Sequence, residues 1–448
     1  MTTPTASPFE PSALPDTACH GRELEFDFPG LRIGVAEYPR GPTGVTVFHF
    51  PRRAKAAVDV RGGLPGTYNV DVLRLGYDVP LLDAIGISGG SWYGLQAAGG
   101  IAQAMKEDEL RSGGLGDLAN VAGAIIYDFG DRRLNEIHPD AALGAAALRA
   151  AREGRFPLGA HGAGRMAVQG HYHGLPVHSG QGGAFRQVGA VKIAAFVVAN
   201  PVGLIVDREG RIVADPRLLP PGVTHIRQLL ADLPIERDEF GMARATAWNG
   251  HARRNPANTT ISVVVTNARL PFADLQRLAY QVHGSMGRGI QPFATAWDGD
   301  VLFAASTDEV ELGSLHAIEL GTIASEVMWD ALLCAHTPRH AEPPRLLAAA
   351  AVSPLDASFE FDRHSRLHLE VAGEQVEIEV TGSRPVFGLP QGSRIEARLQ
   401  PDGRFVTTGN AGRALRDGGF GAGSGDEGRP QHLVVNFGAW QQVGRRLD

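Results

Sequence analysis

The stretch NPANTTISVVVTN, residues 255–267, decides how this chain is read. A proline-bearing loop runs into Thr259 and Thr260, and the β-branched run Ile261, Val263, Val264 and Val265 then reads as a strand covered on both faces. Two hydroxyls therefore stand at the mouth of a core strand. Threonine favours strands in any case, and Asn258-Thr259-Thr260 also fits the N-x-T glycosylation acceptor, a pattern without use in a cytoplasmic chain. A third reading is chemical. A hydroxyl is a weak nucleophile and needs a base. Cleavage before Thr259 would set a new α-amino group beside Oγ1 of the same residue. With an unperturbed pKa of about 7.7–8.0 that amine is partly neutral at physiological pH and can serve as the base. The residues alone leave all three readings open.

Outward from this stretch, strands and helices alternate. LEFDFPGLRIGVAEY (24–38) reads as two strand pieces split by Pro29-Gly30, and GVTVFHFP (44–51) as another strand. SGGSWYGLQAAGGIAQAMKEDEL (88–110) reads as a helix entered through a glycine-rich turn. GAIIYDF (123–129) and AVKIAAFVVANPVGLIVD (190–207) are apolar runs suited to buried strands. In PFADLQRLAYQVHGSM (271–286) Pro271 opens a helix in which Leu275, Leu278, Ala279, Val282 and Met286 recur at helical spacing. VLFAAST (301–307) is a strand, and a long helix runs through LHAIELGTIASEVMWDALLCA (315–335). The pattern then changes. Residues 336–349 form a proline-bearing linker, and FEFDRHSRLHLEVAGEQVEIEV (359–380) and SRIEARLQPDGRFVTT (393–408) alternate with period two around a hairpin turn at QPDGR. GGFGAGSGDEGRP (418–430) reads as a loop and HLVVNF (432–437) as the last strand. Residues 350–448 are expected to be a separate small all-β domain, and 1–22 a flexible tail.

Composition narrows the function. The 448 residues exceed the usual size of one domain. A formal net charge of −7 argues against a nucleic-acid binder. The two cysteines, Cys19 and Cys334, lie far apart, which argues against a disulfide framework or a cysteine zinc site. No apolar run approaches the roughly 20 residues that span a bilayer, and the proline-rich start is expected to be a flexible tail rather than a signal peptide. A cytoplasmic enzyme without membrane contact is the expectation.

Three other constellations compete for the chemistry. Gly86-Ile87-Ser88-Gly89-Gly90 is a formal G-x-S-x-G, but in a chain with 57 glycines a structural glycine-rich helix entrance is the better reading. His171, His173 and His178 in HYHGLPVH lack a carboxylate or thiol at ligand spacing, so a polar loop near a cleft is favoured over a metal site. Asp298 and Asp300 bracket Gly299 in AWDGDVLF; spacing alone favours a turn with Asx-type hydrogen bonds over a functional carboxylate pair.

Residues 23–335 resemble the N-terminal-nucleophile peptidases that include the L-aminopeptidase/D-esterases and β-peptidyl aminopeptidases, and within them the nylon-oligomer endo-hydrolases. FDFPGLRIG, GPTGVTV, AAVDVRGG, SGGSWYGL, IIYDF, GQGGAFR, VVANPVG, NTTISVVVTNARL, VHGSMGRGIQPF, DGDVLFA and IASEVMWDALL carry the likeness in the family's order. The resemblance implies a four-layer αββα sandwich, self-cleavage between Asn258 and Thr259, and Thr259 as nucleophile. It implies Asn200 as an oxyanion donor, Tyr127 near the nucleophile, Asp298 and Asp300 as the family's paired aspartates, and Ser91 and Tyr93 in a pocket-lining segment, which removes Ser88 from consideration. No cofactor or metal is implied, and assembly as a homotetramer of processed protomers is. Members carry a lysine shortly after the G-A-G motif; here His171 takes that place, with Lys192 as a second source of charge. The expected activity is hydrolysis of internal amide bonds in 6-aminohexanoate oligomers. An aminopeptidase of the same fold and an unprocessed, non-catalytic scaffold are the alternatives. The resemblance does not reach residues 350–448.

Overall fold

The long strand Thr43–Val60 joins the two halves of a continuous ten-stranded sheet, and that sharing builds the N-terminal domain. The structure, a computed structural model, describes residues 14–447 apart from 40, 75, 77–80, 115, 130–136, 215, 217–218, 232–234, 238–242, 246–257, 337–345, 363, 384–385, 387–388, 409–414, 416, 424–425 and 437–441. The principal elements are β1 (Arg32–Tyr38), β2 (Thr43–Val60), β3 (Leu81–Ser88), α1 (Gln96–Glu107), β4 (Val121–Ile125) and α2 (Ala141–Arg149). After them come β5 (Gly180–Val188), β6 (Val191–Asn200), β7 (Thr259–Ala268), α3 (Phe272–Ser285), β8 (Val301–Val310) and α4 (Ala317–Cys334).

The first half of β2 pairs antiparallel with β1 and β3, and β3 runs parallel to β4. Between His49 and Ala54 the register with β3 shifts. Beyond that irregularity β2 pairs with β8, which runs parallel to β7; β6 and β5 complete this second half antiparallel. Alternate residues of one strand feed different cores, as a period of two requires. Val263 and Val265 of β7 join Phe48, Ile85, Phe196 and Phe303 between the two halves. Val264 faces the other way, onto Leu275, Leu278 and Val282 of α3 and Met328 of α4. On the opposite flank Val45 and Val47 of β2 pack against Ile101 of α1 and Leu143 of α2. Helices, sheet, sheet, helices: this is the expected αββα sandwich. Each buried Val, Leu or Phe contributes about 1.5–3 kcal/mol, and all ten residues of β7 are buried.

Parts of the expected tail are held. Asp16 and Glu37 exchange backbone hydrogen bonds at 2.8 and 2.7 Å, and the Arg22 guanidinium donates to the carbonyls of Cys334 and His336. Residues 1–13 of that tail and 337–345 of the expected linker lie outside the described residues. No helix among the described residues is long and apolar enough to cross a membrane.

The C-terminal region is a closed eight-stranded barrel. Its strands are β9 (Leu355–Asp362), β10 (Ser365–Ala372), β11 (Gln375–Val380), β12 (Arg394–Leu399), β13 (Arg404–Thr407), β14 (Asp417–Gly423), β15 (Asp426–Val435) and β16 (Gln442–Arg446). Each is antiparallel to the next, and β16 closes on β9 through Phe359↔Arg446 and Glu360↔Arg445. Phe359, Phe361, Leu367, Ile378, Phe405, Phe420 and Leu433 pack its interior. The QPDGR turn forms as read, with the Gly403 amide donating to Gln400 O at 2.9 Å. The expected glycine-rich loop is instead largely strand. A Cβ on Gly418 would come within 2.2 Å of Phe405 Cζ, so glycine is there to admit an aromatic ring. HLVVNF is not the last strand either, because β16 follows it.

Candidate active site

Strand β7 starts where β6 ends, and the antiparallel register sets Thr259 directly opposite Asn200. Both residues are buried. The Thr259 hydroxyl donates to the carbonyl oxygen of Asn258 at 2.6 Å, across the very peptide bond expected to break. The same oxygen accepts the backbone N–H of Gly299 at 2.8 Å. A Cβ on Gly299 would lie 2.7 Å from Thr259 Oγ1 and 2.7 Å from the Leu64 carbonyl oxygen. Glycine is thus the residue that lets this amide reach the Asn258 carbonyl.

Asp298 and Asp300 hold the loop carrying Gly299. Asp298 accepts from Val202 N at 3.1 Å and from Thr295 N and Oγ1 at 2.9 and 2.7 Å. Asp300 accepts from Thr260 N at 2.6 Å and Ala294 N at 3.1 Å. The loop after β2 clasps them from behind: Arg61 and Gly62 donate to Asp300 O and Leu64 to Asp298 O. Burial raises the Asp298 carboxyl above the usual range. Burial, reinforced by the neighbouring Asp298 charge, raises Asp300 well above it. Two carboxyls in a dry site cannot both ionise easily until a cation arrives. An α-ammonium at Thr259, one residue from the amide that Asp300 binds, would be such a cation.

Asn200 is fixed at both ends of its amide: Oδ1 accepts from Val168 N at 2.9 Å and Nδ2 donates to the carbonyl of Tyr127 at 3.0 Å. Tyr127 thus adjoins Asn200 through its backbone. Its ring meets Phe129, which meets Tyr93, which meets His138, at centroid distances of 6.2, 5.9 and 5.5 Å. This aromatic series leads from beside Asn200 to the surface, where Trp92 and Tyr93 are 68% and 63% exposed. Ser91, half-buried with a φ of 51°, starts the turn that presents them. Ser88 is buried and donates to Gly94 O at 2.8 Å, tying down the helix entrance.

His171 opens a short 3₁₀ turn beside Asn258, with Nδ1 3.4 Å from Asn258 Nδ2. An amide NH₂ only donates, so this contact makes Nδ1 an acceptor. Asn258 thus meets an imidazole in the place where the resemblance implies the positive charge of a lysine. Lys192 cannot supply that charge. It stands eight residues before Asn200 along β6, roughly 26 Å at strand spacing, and its Nζ pairs with Asp27 at 2.7 Å. His173 is buried, its pKa lowered by that burial, and its Nε2 lies 3.1 Å from Gln291 O; it clips the turn to a neighbouring loop. Among the described residues the group of side chains with metal-holding geometry is Asp356, His368 and Glu370 on the barrel, not the HYHGLPVH histidines.

Sequence reasoning missed Gly299 and the carbonyl groups around Asn258. The glycine between two aspartates was a signal for the first. Backbone acceptors have none.

Comparison with known proteins adds an independent line. The profile of peptidase family S58 matches residues 26–342. A 6-aminohexanoate-oligomer endohydrolase of Paenarthrobacter ureafaciens is 45% identical over 325 residues, covering 70% of this chain and 86% of that protein. A protein of the same description from Agromyces sp. (strain KY5R) is 44% identical over 325 residues, again covering 70% and 86%. The solved L-aminopeptidase D-Ala-esterase/amidase from Ochrobactrum anthropi is 18% identical with a TM-score of 0.49, covering 71% of this chain and 88% of that one.

Proposed function

We propose, because the chain belongs to peptidase family S58 and its Asn258–Thr259 bond lies among groups able to break it, that it is a self-processing threonine amidase acting on oligomeric ω-amino-acid amides. By family it is a hydrolase of amide bonds. One observation carries the finer reading: the Asn258 carbonyl oxygen receives both the Thr259 hydroxyl and the Gly299 amide. In the first step Oγ1 adds to the Asn258 carbonyl carbon, and negative charge gathers on the oxygen that Gly299 already contacts. A preorganised donor of this kind supplies about 3–4 kcal/mol in acyl transfer. The C–N bond breaks, the hydroxyl proton passes to the departing Thr259 nitrogen, and an ester joins Asn258 to Oγ1. Water then hydrolyses the ester. This leaves a carboxylate on Asn258 and a free hydroxyl and α-amine on Thr259.

In turnover the α-amine takes the Oγ1 proton as Oγ1 attacks the substrate amide, and returns a proton to the leaving amine. A second water releases the acyl group. The substrate assignment, internal bonds of 6-aminohexanoate oligomers, rests on relatives 44–45% identical that bear that description. The exposed rings of Tyr93 and Trp92 support it, since methylene chains bury well on such a surface.

The test is mass spectrometry of the purified chain followed by incubation with soluble 6-aminohexanoate oligomers, free and N-acetylated. Fragments 1–258 and 259–448, shortening of both oligomers, and loss of both events in Thr259→Ala are expected. Shortening of the free oligomer alone would restore the aminopeptidase reading. One intact species without hydrolysis would overturn the proposal and leave the scaffold.

A further inference from the structure

The side chain of Asn258 is buried, 1% exposed, with its Nδ2 inside a ring of acceptors. Asn200 O lies at 2.9 Å, Pro201 O at 3.0 Å, Val168 O at 3.4 Å and His171 Nδ1 at 3.4 Å. The carbonyls also fix which end of the amide points inward, because Oδ1 turned toward them would be repelled. The ring is set by the backbone. The Val168 amide is bound to Asn200 Oδ1, and the Gly170 and Tyr172 amides donate to Gly203 O and Val202 O at 2.7 and 2.9 Å, lacing the two contributing segments together. The ring therefore does not depend on Asn258 to hold its shape. Converging acceptors repel one another, and leaving them without a donor in a dry site is costly.

Under the proposed function Asn258 is the acyl residue of the first reaction that Thr259 carries out. Its carbonyl carbon stands where the acyl carbon of every later substrate must stand, with Gly299 on its oxygen. Once the ester is hydrolysed, Asn258 is free to leave with its side chain, and the acyl portion of the substrate occupies the same side of the nucleophile. We propose that the ring of Asn200 O, Pro201 O, Val168 O and His171 Nδ1 becomes an acyl-side subsite for an N–H donor, either the free ammonium or the next amide N–H of an amino-acyl chain. Asn258 is the internal occupant that fills it before processing. A 4-aminobutyryl unit carries its nitrogen at the same through-bond separation from the carbonyl carbon as asparagine does. A 6-aminohexanoyl unit reaches the ring by folding its longer chain. This inference rests on the processing reading above and extends it to substrate choice.

The test compares isosteric pairs on the purified, processed protein. 4-Aminobutyryl and 6-aminohexanoyl 4-nitroanilides are set against pentanoyl and heptanoyl 4-nitroanilides, in which methyl replaces the amine. An N-acetyl-6-aminohexanoyl anilide separates amide from ammonium. Hydrogen bonds of this kind contribute about 1–3 kcal/mol. The amino-acyl anilides should therefore exceed their methyl counterparts in kcat/KM by roughly 10- to 100-fold. Retention of the advantage on N-acetylation identifies the amide N–H as sufficient, and its loss identifies the ammonium; both support the subsite. Methyl analogues hydrolysed as fast as the amines would overturn it and leave the Thr259 nucleophile standing. An unprocessed chain inert to every anilide would overturn the subsite together with the function it rests on.

Discussion

Gly299 and Thr259 touch so closely that one carbon atom added to the glycine would fall 2.7 Å from the threonine hydroxyl oxygen. The contact matters because the Gly299 amide also donates to the carbonyl oxygen that the hydroxyl addresses. Gly299→Ala forces either the Thr259 hydroxyl or the amide donor out of position. Loss of one donor to a developing oxyanion lowers rates about 100- to 1,000-fold, so Gly299→Ala should stay largely uncleaved when the native chain is fully processed. Time-resolved mass spectrometry of freshly refolded protein measures this. Cleavage at the native rate would show that Gly299 is a spacer and nothing more.

The carboxyl pair gives the uncleaved chain a pH dependence of definite sign. Both acids are raised in the folded state, Asp300 the more strongly. The folded form therefore binds protons more tightly than the unfolded one. Their contribution to stability is complete below the ordinary aspartate range, near pH 4, and is lost as pH rises through the raised values. Thr259→Ala keeps the chain whole and makes the effect measurable. Its denaturation midpoint should fall as pH rises from about 4 toward neutrality. Adding Asp300→Asn should flatten that fall while lowering stability by about 1–3 kcal/mol, since the amide nitrogen cannot accept the Ala294 N–H. A slope unchanged by Asp300→Asn would locate the titration elsewhere.

Much of this is legible in the amino-acid sequence, for reasons that differ by element. Strand β7 announced itself because every residue in it is buried, leaving the β-branched run Ile261, Val263, Val264 and Val265. The buried face of α3 followed from the spacing of Leu275, Leu278, Ala279 and Val282. Thr259, Asn200, Asp298 and Asp300 were named individually, and the fold gathers them where β6 ends and β7 begins. The roles of Gly299, Val168 and Pro201 were not legible, because they act through backbone groups that every residue carries. Strand β14 was misread for a related reason. Glycine signals a turn in sequence, yet Gly418 is small to make room for Phe405, a partner fixed by the register of β13 against β14.

The exposed aromatic rim should act on binding without touching the chemistry. Trp92 and Tyr93 are mostly solvent-facing, so their truncation should change stability by less than about 0.5 kcal/mol. Removing an aromatic contact worth about 1.4 kcal/mol corresponds to a tenfold change in affinity. Trp92→Ala and Tyr93→Ala should therefore raise KM for long oligomers by roughly tenfold, with little change in kcat. Processing at Asn258 should proceed at the native rate, because the internal bond does not reach the rim. A fall in kcat with KM unchanged would contradict a surface that only captures the chain.

The barrel offers a test of how far it is energetically separate from the site. Its hydrophobic core draws on Val352 and on β9–β15 residues, and none of its members comes from the sandwich. Gly418→Val would drive branched carbons toward Phe405 Cζ, where even one Cβ would sit 2.2 Å away. Overpacking of this kind costs about 1–3 kcal/mol. Calorimetry of the variant should show an early transition assigned to the barrel while the transition of the sandwich keeps its native midpoint. Amide hydrolysis measured below the first transition should match the native rate. If the sandwich transition shifted downward by the same amount, the two cores would be coupled, and the barrel would have to be counted among the groups that hold Thr259 in place.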